Sequence, residues 1–153
     1  MSKKCFFTGH RDTPGTVRPL LLEAINRHIV EYGVTEFYVG GHGAFDSMAA
    51  GVLAEMKRKY PFIWNCLVLA YHPSLRQVVL PTGFDHSLFP EGQELSPPKY
   101  AIPTLNRLMV QEAGYLIAYV RMITDGSYKL MQYAMAREKR KQLIITNLAE
   151  QQS

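Results

Sequence analysis

Long apolar runs are what this 153-residue sequence most clearly lacks. A membrane-spanning helix needs about 20 consecutive apolar residues, and no stretch of the sequence approaches that length. The start, Met1-Ser2-Lys3-Lys4, is followed by only three apolar residues, far fewer than the apolar part of a secretory signal peptide contains. We therefore expect a cytoplasmic protein without a membrane partner.

Cysteine is scarce as well. Cys5 and Cys66 each stand alone within an apolar strand pattern, which argues against a disulfide framework or a thiolate metal site and favours buried, reduced thiols. The five histidines lack the short spacing of known zinc motifs, although His10, His42 and His72 each follow a predicted strand. We therefore predict that the protein holds no metal and no cofactor.

The composition is that of one folded domain with a mild excess of positive charge. Hydrophobic residues make up 47% and charged residues 20% of the chain, so we predict a single domain over residues 1–153. The net charge of +4 suits anionic ligands without requiring nucleic acid. The densest basic run, residues 137–141, falls at the end of a predicted helix, where cations interact favourably with the helix dipole.

Strand and helix patterns alternate along the whole chain. Strands are predicted at residues 4–8, 35–39, 66–71, 115–120 and 143–146, with helical patterns between them. This alternation is typical of parallel sheets with right-handed crossovers. We predict an α/β fold: a single Rossmann-like, doubly wound domain whose mainly parallel five-stranded sheet is flanked by helices, with strand order 3-2-1-4-5.

One segment, residues 72–100, does not follow the alternation. It contains five prolines and few periodic residues apart from a short strand pattern at 77–80. Loops of this length are usually functional or mobile. We interpret the segment either as a lid that offers Phe84, Phe89 or Tyr100 for stacking on a ligand, or as an inert surface excursion.

A glycine turn follows each of the first two strands and leads into a helix. Glycine lets backbone N–H groups approach an anion closely, and the helix N-terminus adds partial positive charge. The motifs GxGxxG and Gly-Lys-Ser/Thr are both missing, so neither dinucleotide binding nor NTP hydrolysis is indicated. The candidate ligand-binding residues of the two turns are Thr8, Gly9, His10, Arg11, Gly40, Gly41, His42, Gly43, Phe45 and Asp46.

Two of these side chains have alternative roles. The guanidinium group of Arg11 is suited to phosphate oxygens, but it could instead pair with a carboxylate such as Asp12. Asp46 could cap the helix that it begins, or accept hydrogen bonds from a ribose or base. Both roles of Asp46 are compatible if its carboxylate points into the crevice.

A third turn follows the fourth predicted strand. Asp125, Gly126 and Ser127 open the next helix, whose first turn could hold a second phosphate or a sugar hydroxyl, or could simply be capped by Ser127 or Asp125. In the predicted strand order this turn faces the first glycine turn across the crevice. We therefore add these three residues to the candidate ligand-binding set.

Four groups of residues carry a resemblance to a known family. They are Phe7-Thr8-Gly9-His10-Arg11, Gly40-Gly41-His42-Gly43-Ala44-Phe45-Asp46, Asn106 with Met109-Val110, and Gly126-Ser127 followed by Tyr133-Ala134. Together they are similar to the YpsA-like branch of the SLOG superfamily, over nearly the whole chain. That superfamily includes cytokinin-activating phosphoribohydrolases, DNA-processing proteins of natural transformation and sensor domains for nucleotide signals. The resemblance implies a Rossmann-type fold, a nucleotide-derived ligand and a homodimer.

The chain departs at one place from the phosphoribohydrolases of that superfamily and at another from the YpsA-like branch itself. Phosphoribohydrolases carry a Pro-Gly-Gly-x-Gly-Thr turn with a glutamate three residues on, whereas Thr124-Asp125-Gly126-Ser127 is followed here by Lys129 and Leu130. The branch also has an Arg-Asn pair before its Met-Val, whereas this chain has Leu105-Asn106-Arg107.

We therefore favour binding of a nucleotide or nucleotide-derived ligand, as a sensor or carrier, and assign no catalytic residue. The first alternative is a nucleotide N-glycosidase that uses Asp46 or Asp125. The second alternative is a DNA-associated protein, suggested by the basic residues at 137–141.

Overall fold

The computed structural model describes residues 1–121 and 126–152, which form a sheet with helices on both faces. The strands are β1 (Lys4–Gly9), β2 (Glu36–Val39), β3 (Trp64–Val68), β4 (His86–Leu88), β5 (Tyr115–Tyr119) and β6 (Ile144–Asn147). The helices are α1 (Arg18–Val30), α2 (Ala44–Lys59), α3 (Ala101–Glu112) and α4 (Gly126–Lys139). Within the described part of the chain, no helix has both the length and the apolar character needed to cross a membrane.

All strand pairs are parallel, and the order is β4-β3-β2-β1-β5-β6. The predicted α/β class and the order of the five predicted strands are confirmed. The predicted number of strands is wrong, because β4 adds a sixth strand beside β3. β1 is central: β2, β3 and β4 follow one another on one side of it, and β5 and β6 lie on the other side. The strand order therefore reverses at β1.

The sixth strand lies within the proline-rich segment, but not at residues 77–80, where a strand was predicted. Backbone and side-chain bonds fix β4 beside β3: the Asp85 N–H donates to the Asn65 carbonyl over 2.9 Å, and the Asn65 N–H donates to the Asp85 carboxylate over 2.9 Å. Lys57 on α2 also forms an ion pair with Asp85. His86–Leu88 has only three residues, so its sequence carries too short a pattern to predict a strand.

The core consists of two layers, one on each face of the sheet. Phe6 and Phe7 are adjacent in β1 and are both about 1% exposed, yet they belong to opposite layers because side chains alternate along a strand. Phe7 packs in the layer of α1 and α2, with Phe37 and Phe45. Phe6 packs in the layer of α3 and α4, which includes Leu105. Burial on both faces accounts for the continuous apolar strand patterns of the sequence.

The basic run at residues 137–141 lies where the sequence predicts, at the end of a helix. α4 ends at Lys139, and Lys141 takes a positive φ of 59° as the chain leaves the helix. α4 begins beyond the carboxyl end of β5 and runs back to the start of β6. The basic run therefore lies at the amino-end edge of the sheet, away from the edge that carries the glycine turns.

Candidate functional site

A cleft of about 730 Å³ opens at the carboxyl end of β1, where the strand order reverses. Ligands of open α/β sheets bind at this topological position. Two walls form the cleft: the loop after β1 together with the start of α2, and the facing sides of α3 and α4. The lining residues are Phe7, Thr8, Gly9, His10, Arg11, Asp12, His42, Asp46, Ile102, Pro103, Asn106, Arg107, Lys129, Leu130 and Tyr133.

Six of the predicted ligand-binding residues line this cleft, namely Thr8, Gly9, His10, Arg11, His42 and Asp46. Gly40, Gly41, Gly43 and Phe45 belong to the turn and helix start behind it. The prediction for Asp125 lies outside the described residues. Gly126 and Ser127 begin α4, the helix that contributes Lys129, Leu130 and Tyr133 to the cleft.

Close packing of Gly9 against α2 brings the two glycine turns together. A Cβ atom on Gly9 would lie 2.6 Å from Cδ2 and 2.7 Å from Cβ of Phe45, far inside van der Waals contact. The Phe45 side chain is fully buried, and because the clash includes its Cβ atom, a change of rotamer would not relieve it. Glycine is therefore required at position 9 for packing, and this close approach places the end of β1 directly over the start of α2.

The second turn contacts the first through Gly43. Gly43 has a φ of 109°, a conformation that side chains disfavour, and a Cβ there would lie 2.7 Å from the Cα of Arg11. The next residue, Ala44, donates its N–H to the carbonyl of Arg11 over 2.9 Å. The backbone at Arg11 is thus held against the amino end of α2, while its exposed side chain lines the cleft.

His10 connects the first turn to the end of β5. Its Nε2 accepts a 2.9 Å hydrogen bond from the Arg121 N–H, and its ring lies edge-on to Tyr119 at 5.9 Å between centroids. Thr13 donates its hydroxyl to the His10 carbonyl over 2.6 Å and so closes the turn. Because Nε2 acts as an acceptor, this arrangement places the ring proton on Nδ1.

Asp46 turns back toward the second glycine turn. Its Oδ2 accepts the His42 N–H over 3.0 Å, which satisfies one backbone donor ahead of α2. The same oxygen would lie 3.2 Å from a Cβ on Gly40, so this glycine leaves room for the carboxylate. Asp46 therefore does not cap α2: Gly43 is the N-cap residue and has no side-chain cap, while Asp46 lies in the first turn of the helix and also lines the cleft.

Burial shifts the protonation of two groups beside the cleft. It raises the pKa of Asp46 to about 6, against the opposing effects of the His42 hydrogen bond and the Arg11 charge. Burial also lowers the pKa of His42, and the charges of Arg11 and Arg76 lower it further. At neutral pH His42 is therefore uncharged, and the positive charge of the lining comes from Arg11, Arg107 and Lys129.

The wall formed by α3 and α4 was not among the site residues predicted from the sequence. Asn106 and Arg107 of α3 both line the cleft, whereas Leu105 is fully buried. The resemblance already included Asn106 and Tyr133, which was the only sequence signal for this wall. Helical periodicity identifies the buried side of α3, but it does not show what the polar side faces.

Residues 72–100 contribute none of the lining residues of this cleft. Phe84 packs against the core layer of α1 and α2, and the Phe89 ring lies 5.3 Å from that of His72. Tyr100 is 53% exposed. The role of this segment as a lid stays a prediction.

Comparisons with known proteins bear on the fold. No family model matches the chain, and no curated protein sequence matches it. The architecture is a Rossmann-like α/β fold with a parallel sheet flanked by helices. A solved structure that shares it is DNA processing protein A from Helicobacter pylori, described for its single-stranded DNA binding mode, with a TM-score of 0.55 and 14% identity over 96% of this chain and 77% of that one. At this identity the similarity shows the fold, and membership of the YpsA-like branch stays a prediction.

The contact of Gly9 with Phe45 leads to a stability prediction. Gly9→Ala forces a methyl group into a buried ring, so we expect a loss of about 1–3 kcal/mol in the free energy of unfolding, measured by urea titration. Gly15→Ala is the matched control, because a Cβ there meets nothing within 4 Å. Equal stability of the two variants would contradict the packing role of Gly9.

The raised pKa of Asp46 leads to a pH prediction. A carboxyl whose pKa is higher in the folded state favours the fold when protonated, so its contribution to stability is lost as pH rises through about 4 to 6. Asp46→Asn keeps an acceptor for the His42 N–H and should raise the free energy of unfolding by about 2 kcal/mol at pH 8. The gain should vanish at pH 4.

Asp12→Asn is the control. It removes a carboxylate charge from the same cleft, but Asp12 is exposed, whereas Asp46 is partly buried. Urea unfolding at both pH values measures the effect. A gain of equal size in both variants, or one that persists at pH 4, would show that burial of Asp46 is not its cause.

Proposed function

We propose that the protein binds a nucleotide or nucleotide-derived ligand in the cleft at the carboxyl end of β1. A phosphate group of the ligand would be held by the wall that carries Arg11, formed by the loop after β1 and the start of α2. The observation that carries the proposal is the convergence of two glycine turns, the amino end of α2 and the Arg11 guanidinium at one edge of the sheet. Backbone donors at a helix start and an arginine fork together suit a phosphate.

The cleft has the size and chemistry of a small-molecule site. Its volume of about 730 Å³ falls within the 300–1,000 Å³ that is usual for such sites. The wall of α3 and α4, which faces the polar wall formed by the glycine turns, adds apolar side chains such as Ile102 and Leu130 to its polar residues. Such a division suits a ligand with an anionic end and a flat, less polar end. A homodimer, implied by the resemblance, stays a prediction.

A ligand panel tests the proposal. We expect at least one member of a set of nucleoside phosphates, ADP-ribose derivatives and cyclic dinucleotides to raise the thermal unfolding temperature. A ligand at a hundred times its Kd adds about 2.7 kcal/mol. Arg11→Ala should abolish the shift.

Arg58→Ala is the matched control for charge. Arg58 is exposed in the last turn of α2, which has 16 residues and is therefore about 24 Å long, so Arg58 lies far from the cleft. The shift should survive in this variant. A flat panel, or equal loss of the shift in both variants, would overturn the proposal.

An assay for free base distinguishes a hydrolase from a binding protein. Among the described residues, the carboxylates that line the cleft are Asp12 and Asp46, and the pKa of Asp46, about 6, suits a general acid. Release of free base from a nucleoside monophosphate would show that the protein is an N-glycosidase and not only a binding protein. If Asp46→Asn left that release intact, Asp46 would not be the acid.

Single-stranded DNA is the second candidate ligand, and the shared fold with DNA processing protein A favours it. The basic run at 137–141 does not support this candidate, because it lies at the opposite edge of the sheet. A DNA strand bound through the cleft would instead use Arg11, Arg107 and Lys129.

Salt dependence separates the two candidates. If the ligand is a single nucleotide, the Kd should change only modestly between 50 and 200 mM salt, whereas a single strand bound through Z phosphates should give a slope of about −0.7Z in log K against log salt. Fluorescence anisotropy with an oligo(dT) strand measures this slope. A steep slope that is reduced in Arg107→Ala but not in Arg140→Ala would favour DNA in the cleft.

A further inference from the structure

The two walls of the cleft differ in chemistry. The wall after β1 presents backbone turns, histidine rings and Arg11, whereas the wall of α3 and α4 adds the apolar side chains of Ile102 and Leu130 and the ring of Tyr133 to its polar residues. Ile102 and Tyr133 are partly buried and pack against the core layer beneath them. The second wall therefore combines an apolar surface supported by the core with the polar side chains of Asn106, Arg107 and Lys129.

One contact on this wall is an existing stack. The Arg107 guanidinium carbon lies 4.1 Å from the centre of the Tyr133 ring, so a residue of α3 and a residue of α4 form a cation–π pair across the helix interface. Both residues line the cleft, with Arg107 exposed and Tyr133 partly buried. Packing of Tyr133 against the core restricts the ring, and the ring in turn favours one position of the guanidinium.

A stacked guanidinium and phenol ring offer what a nucleobase requires. Every base has a flat π-face, and aromatic rings and arginine planes both bind such faces. Asn106, the residue before Arg107, also lines the cleft, and its side-chain amide makes no hydrogen bond to any described residue. An amide carries a donor and an acceptor side by side, which matches the edge of a base.

We propose that Arg107 and Tyr133 form a base-stacking subsite, with Asn106 positioned to bond the base edge, opposite the phosphate subsite at Arg11. This inference rests on the proposed function and assigns the orientation of the ligand within the cleft. The phosphate lies toward the amino end of α2, and the base lies between α3 and α4. Arg107 thus acts through its flat surface, while Arg11 acts through its charge.

Two probes that differ only in the base test the inference. Adenosine 5′-monophosphate carries both ends of the ligand, whereas ribose 5-phosphate carries only the phosphate end. Because the Tyr133 ring supports the Arg107 plane on which the base would stack, we expect Tyr133→Leu to weaken binding of the nucleotide by roughly 5- to 100-fold, within the range for one stacked base, and to leave binding of ribose 5-phosphate unchanged. Isothermal titration calorimetry measures both Kd values. Arg11→Ala should weaken both probes.

Conservative variants separate stacking from charge and from folding. Tyr133→Phe keeps the ring and should bind the nucleotide like the parent protein. Arg107→Lys keeps the charge at an exposed position but loses the planar group, so it should weaken the nucleotide and spare ribose 5-phosphate. The Arg107→Lys variant also tests the base-stacking subsite if Tyr133→Leu fails to fold.

The outcomes distinguish the two proposals. If the parent protein binds neither probe, the proposed function fails and this inference with it. If the parent protein binds both probes equally tightly, or if Tyr133→Leu and Arg107→Lys weaken both probes alike, the phosphate site stands and the base-stacking subsite is overturned.

Discussion

The absence of a side chain at Gly9 is the constraint on which the candidate site depends. Because the backbone at Gly9 lies directly on the buried ring of Phe45, the end of β1 and the start of α2 approach more closely than any other residue would allow. Gly43 repeats the arrangement from the other side, against the backbone of Arg11. Two glycines from different turns therefore bring the turns into close contact, and this backbone packing places the side chains of both turns at one cleft.

Asp46 shows how the same packing has an energetic cost. The close approach of the turns removes water from around its carboxyl, and a single backbone donor from His42 compensates for this only in part. A partly buried acid of this kind weakens the fold at neutral pH, which is common where a residue is kept for its chemistry. The region around the second glycine turn thus combines a rigid backbone with an electrostatically unfavourable side chain.

Much of this architecture could be predicted from local sequence patterns. The five longer strands have clear apolar patterns, and the turn at Gly9 to Arg11 follows directly from the position of glycine after a strand. β4 could not be predicted, since a strand of three residues with His86 and Ser87 depends on bonds from Asn65 and Lys57 that only the tertiary structure supplies. Arg107 was missed as a lining residue for a similar reason, because its partner Tyr133 lies on another helix.

The central position of β1 also bears on how the protein is made. β1 is separated by more than a hundred residues from one of its two neighbours, β5, and the register of the pair joins Cys5 to Tyr115 and Gly9 to Tyr119. Until more than a hundred residues have been synthesised, one edge of this apolar strand has no partner. The nascent chain must therefore keep this aggregation-prone strand edge soluble until β5 has emerged and can pair with it.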